Sequence, residues 1–76
     1  MNLIEISISK KQFFSDARLN MAFEKAFHEP PVSLKRVGKQ IFVETQLPLL
    51  KHRVIRFGSC LGLKARNITE DHAEIR

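Results

Sequence analysis

The chain has no tryptophan or tyrosine, one cysteine, three glycines and three prolines among its 76 residues. Each scarcity narrows the field. A single cysteine, Cys60, forms no internal disulfide, which removes the stapled secreted mini-proteins from consideration. Few glycines and prolines beside 43% hydrophobic residues describe a folding chain with a small core, not a low-complexity one. No apolar run approaches the roughly 18 residues that a membrane-crossing helix needs. The opening "MNLIEISISKKQ" lacks the basic start and long apolar run of a secretory signal. With the lone cysteine, this reads as a cytoplasmic protein.

Chemical signatures are equally sparse. Cys60 and three scattered histidines, His28, His52 and His72, have no metal-ligand spacing. Gly38, Gly58 and Gly62 do not form a phosphate loop, because no glycine-rich run joins a strand to a helix. They read as turn or bulge glycines. Cations beside Cys60 suggest a thiolate of lowered pKa, but in the strand register set out below Cys60 and His52 point to opposite faces. Cys60 is therefore expected to be a small buried apolar residue. Glu70, Asp71 and Glu74 around His72 read as solvated charge, and Asn67-Ile68-Thr69 matches a glycosylation acceptor that has little meaning without a secretory signal. No enzyme, metal or cofactor is expected.

What is present is charge, unevenly placed. Residues 1 to 31 hold four Lys/Arg and four Asp/Glu; residues 32 to 68 hold eight Lys/Arg against Glu44 alone; residues 69 to 76 carry a net −2. A central stretch at +7 points to a polyanion or an acidic protein surface as partner. The length allows one domain, residues 1 to 76, and a chain this short buries only about 60% of its unfolded surface. A homodimer or a bound partner would add stability.

"NLIEISIS" alternates Ile4, Ile6 and Ile8 with Leu3, Glu5, Ser7 and Ser9, the period of a strand with one buried face. Ser9 and Gln12 are compatible with a capping box, but Ser15 or Asp16 makes the better helix start. From there Leu19, Ala22, Phe23, Ala26 and Phe27 form one apolar face, and the helix should stop near His28, ahead of Pro30 and Pro31. The period then becomes 2. A Gly38-Lys39 type II′ turn sets Leu34 opposite Val43 and Arg36 opposite Ile41 on one face, Lys35 opposite Phe42 and Ser33 opposite Glu44 on the other.

"KHRVIRFGSCLGLKARN" reads as a second hairpin about Gly58-Ser59, with Arg53 opposite Lys64, Lys51 opposite Arg66, and Phe57 opposite Cys60. Like charges facing each other are unfavourable in an isolated sheet, and a bound anion would relieve them. "NITEDHAEIR" either adds a short strand near Ala73 to Ile75 or trails off.

The expected fold is thus α+β: an N-terminal strand, one helix, then a mainly antiparallel sheet of two hairpin-like units with the helix on one face. A small half-open barrel is the alternative. Its uncovered face would carry Lys51, Arg53, Lys64, Arg66 and Lys35 as phosphate contacts, with Phe57 and Phe42 as rings on which bases stack. The expected function is a small non-enzymatic nucleic-acid-binding module. RNA or single strands are favoured because no helix bearing several cations is foreseen. The alternative is a protein-interaction or inhibitor module, an accessory subunit or mobile-element protein acting on a larger nucleic-acid machine.

Overall fold

A computed structural model of the protein describes residues 1–8 and 13–69. Strand β1, Asn2–Ser7, buries Ile4 and Ile6 as its alternation requires. Helix α1, Asp16–Phe27, starts at Ser15, whose Oγ accepts from the Arg18 backbone N–H at 3.2 Å. It ends at His28, left-handed at φ 65°, with the two prolines just beyond. The N-cap bond satisfies a backbone donor that the first turn otherwise leaves free. Ser15→Ala is expected to lower stability by about 1 kcal/mol, measured as a shift in the urea midpoint. The Ser9–Gln12 capping box and the Ala73–Ile75 strand lie outside the described residues.

Strands β2, Ser33–Val37, and β3, Gln40–Thr45, form the expected hairpin in the expected register, including Leu34 opposite Val43 and Lys35 opposite Phe42. Gly38 has φ 60° while Lys39 does not have a positive φ, the II′ signature.

The second hairpin does not form. Residues Lys51–Leu61 make a second helix, α2, and only Ala65–Asn67 continue as a strand, β4. Val54, Phe57, Gly58 and Leu61 are its buried face, an i, i+3, i+4, i+7 stripe. Gly62, at φ 70°, ends the helix: its N–H donates to Ser59 C=O and the Leu63 N–H to Gly58 C=O, at 3.1 and 2.9 Å. That pair of bonds is a Schellman cap, and glycine adopts the required left-handed backbone without steric cost.

The four strands lie in the order β2-β3-β1-β4, every neighbouring pair antiparallel. Read as 4-1-3-2 in a β-α-β-β-α-β succession, this is a ferredoxin-like, split β-α-β arrangement. It is an α+β fold with an open sheet whose outer strands, β2 and β4, are unjoined to each other, so the barrel alternative is not realised. Four strands span roughly 19 Å at about 4.8 Å each, whereas a helix with its side chains is about 10 Å across. One helix would leave half of the Ile4, Ile6, Ile41 and Val43 face wet, and α2 covers that half. Phe23 joins the layers, stacked on Phe27 with centroids 4.4 Å apart and edge-on to Phe57 at 5.5 Å. Arg36 of β2 binds the N-terminal end of α1 through Phe14 C=O and Asp16 Oδ1.

Candidate nucleic-acid interface

The architecture places most of the charged side chains on two opposite surfaces, with Lys39 in the β2–β3 turn and Lys64 in the α2–β4 connection exposed outside both. On the sheet face away from the helices, the β1–β3 and β1–β4 registers line up Glu5 with Phe42 and Arg66, and the β2–β3 register sets Lys35 beside Phe42. Here the cations already have partners. Arg66 donates through Nε and Nη2 to Glu5 Oε1 at 3.1 and 2.9 Å, and Gln40 donates to the other oxygen of the same carboxylate. Lys35 Nζ lies 3.8 Å from Glu44 Oε1, which also accepts from Ser33 Oγ at 2.5 Å. Two acids offset two cations around one half-buried ring, so the open sheet is not a basic surface.

The helical side differs. Helices α1 and α2 hold five cations, Arg18, Lys25, Lys51, Arg53 and Arg56, against two acids, Asp16 and Glu24, and Asp16 is bound by Arg36. Helix α2 contains no acidic residue at all. Its apolar stripe faces the core, so the 100° turn per residue places His52, Arg56 and Ser59 on the outermost strip, with Arg53 and Cys60 turned toward α1. Arg18, Met21, Ala22 and Lys25 of α1 line a shallow groove of about 170 Å³ with Cys60 of α2. Among the described residues, Arg18, Lys25, Lys51 and Arg56 make no ion pair.

The seven residues expected at the site are therefore divided. Lys51 is exposed at the start of α2, and Lys64 is exposed in the α2–β4 connection. An eleven-residue helix separates them, about 16 Å at 1.5 Å per residue. Arg53 is half-buried, and its Nη1 donates to Ala26 C=O at 3.1 Å, tying α2 to the C-terminal turn of α1. Lys35, Arg66 and Phe42 share the open sheet face. Phe57 is wholly buried, with 0% of its surface exposed, so it meets Phe23 edge-on in the core and is out of reach of a base. Neither the Arg53–Lys64 nor the Lys51–Arg66 pairing exists, because that pairing required the second hairpin. Cys60, expected inside, is exposed.

Arg18, Lys25 and Arg56 were not expected at the site. The signal for Arg56 was available in the 3.6-residue spacing of Val54, Phe57 and Leu61, which puts Arg56 outward once the segment is read as helix, and Arg18 and Lys25 lie off the Leu19, Ala22, Phe23, Ala26 and Phe27 face of α1. Among the described residues no group of three metal-ligating side chains comes together, and no helix is long and apolar enough to cross a membrane. Comparison with protein-family models, with curated proteins and with solved structures returned no significant match.

Proposed function

We propose that this protein is a small nucleic-acid-binding module without catalytic activity, and that its phosphate-binding surface is the outer side of the two helices. The observation that carries the reading is the split of charge. The cations of the sheet face are neutralised by Glu5 and Glu44, whereas Arg18, Lys25, Lys51 and Arg56 lie exposed on α1 and α2 with no described ion-pair partner. Unpaired cations on a rigid layer attract a polyanion and release its counterions, a driving force that needs no base contact.

The test is a salt series with the purified chain and labelled nucleic acid. Lys51→Glu with Arg56→Glu is expected to weaken binding on the order of 100-fold and to flatten the slope of log K against log salt by about 2. Both side chains are exposed, so the thermal midpoint should hardly move. Lys35→Ala with Arg66→Ala should change affinity by less than about threefold, their charge being already offset. The opposite ranking of the two double variants would refute the helical site.

A second reading draws on the edge of the sheet. Strand β2 pairs with β3 alone, and Val32, just before it, and Val37, its last residue, are 56% and 61% exposed. Such an edge accepts an extended segment of a partner protein, in keeping with an interaction or inhibitor module. A stoichiometric protein complex that survives both nuclease and the Lys51→Glu, Arg56→Glu pair would favour it.

A further inference from the structure

We infer that the nucleic acid recognised by the helical layer is duplex DNA, not a single strand; the inference rests on the basic-layer reading above and goes on to name its ligand. Proteins that hold single strands draw about 1–3 kcal/mol per base from stacking on exposed aromatic rings. The outermost strip of α2 offers no phenylalanine, its one ring being the smaller His52 imidazole. Phe23, Phe27 and Phe57 all lie in the core, and Phe42 is on the opposite face of the sheet beside Lys35 and Glu5. Of the remaining rings, Phe13 is exposed, but it packs near the Arg36 guanidinium, and Phe14 is buried with Arg18 over its face. Apart from Phe13 ahead of α1 and the His52 imidazole, the helical layer presents cations without stacking rings and draws mainly on the phosphates.

On phosphates alone the duplex is the stronger ligand. It presents one charge per ~1.7 Å of axis against ~3.4 Å along one of its strands, and its counterion slope is about −0.9 per contact against about −0.7 for a single strand. For four contacts, Arg18, Lys25, Lys51 and Arg56, raising salt from about 50 to about 200 mM should weaken duplex binding by about 150-fold and single-strand binding by about 50-fold.

The shape of the layer selects the DNA form of the duplex. The outermost strip of α2 consists of His52, Arg56 and Ser59, with Lys51 exposed in the first turn on the flank away from Arg53 and Cys60, and with no acid anywhere on the helix. A helix with these polar side chains fits the B-form major groove, about 12 Å wide, while the A-form major groove is too deep and narrow for side chains to enter. The neighbouring α1 then brings Arg18 and Lys25 to a flanking phosphate strand.

The experiment titrates the full chain, at about 50 mM and about 200 mM salt, with a labelled DNA duplex, each of its single strands alone, and the RNA duplex of the same sequence. The expected result is tightest binding to duplex DNA, by roughly tenfold over either strand at the lower salt, with the steeper salt slope and with loss of binding in the Lys51→Glu, Arg56→Glu pair. Equal or tighter binding of a single strand overturns the inference while leaving the basic layer in place, provided the same double variant abolishes it. Tighter binding of the RNA duplex overturns the DNA assignment. Absence of binding to every ligand at the lower salt overturns the basic-layer reading and this inference together.

Discussion

Phe57→Ala should unfold the chain rather than weaken a ligand contact in a folded protein. The ring is fully buried and meets Phe23 edge-on at 5.5 Å, where α2 joins α1 over the sheet. Removing a buried phenyl group costs about 3–5 kcal/mol, the lost transfer energy plus the cavity left behind. A 76-residue domain has roughly 4–11 kcal/mol in total, and small cores sit toward the lower end. Circular dichroism of the variant should therefore show lost cooperativity or a urea midpoint near zero. Phe57→Leu, which retains most of the volume, should remain folded and bind nucleic acid as the parent does. A Phe57→Ala protein that folded normally but bound weakly would return Phe57 to the ligand surface and contradict the position of α2.

Gly58→Ala is the second large effect, and its sign opposes helix propensity. In an exposed helix this substitution stabilises by about 1 kcal/mol. Here a methyl group at residue 58 would lie 2.5 Å from the Leu63 carbonyl oxygen and 3.0 Å from the Ala65 backbone nitrogen. Both obstacles are backbone, one in the turn that closes α2 and one in β4, so neither can rotate aside. We expect a net loss of about 3 kcal/mol, seen as a lower urea midpoint, with faster amide exchange concentrated in β4 and its β1 partner residues Ile4 to Ile6. A gain in stability would mean that β4 does not pass this close to α2. The glycine of the sequence "RFGSC" thus acts through the room it leaves for a neighbouring chain segment, not as a turn residue.

Several elements were legible from local pattern alone. Helix α1 was readable at both ends because Ser15, the prolines after His28 and an unbroken apolar face all agreed. The β2–β3 hairpin was readable to the residue because a two-residue loop leaves one register, and Gly38 marked the loop. The region 51–67 was ambiguous because its apolar residues satisfy two periods. Val54, Phe57 and Leu61 follow a helical stripe, but two glycines and β-branched Val54 and Ile55 imitate a strand, a turn and a return strand. Each glycine proved to have a helical role, Gly58 as the space for β4 and Gly62 as the left-handed cap.

The candidate site followed from that one choice. Seen as strands, 51–57 and 60–66 placed Lys51, Arg53, Phe57, Lys64 and Arg66 on one surface. As a helix and a short strand they are distributed among the helical layer, the core, the connecting loop and the open sheet. Glu5 and Glu44, distant in sequence from the cations they neutralise, come within reach of Arg66 and Lys35 only through strand pairing.

The amino-acid sequence by itself determined the α+β class, the first strand, α1, the central hairpin and the excess of positive charge in the middle of the chain, since each depends on neighbouring residues or on composition. Tertiary structure alone decided that 51–61 is a helix, that Phe57 is core, and that among the described residues Arg18, Lys25, Lys51 and Arg56 are exposed on the helices without an ion pair. The reason is geometric: a four-stranded sheet is too wide for one helix to cover, so the half of its apolar face left by α1 recruits the segment able to present Val54, Phe57 and Leu61 on one side.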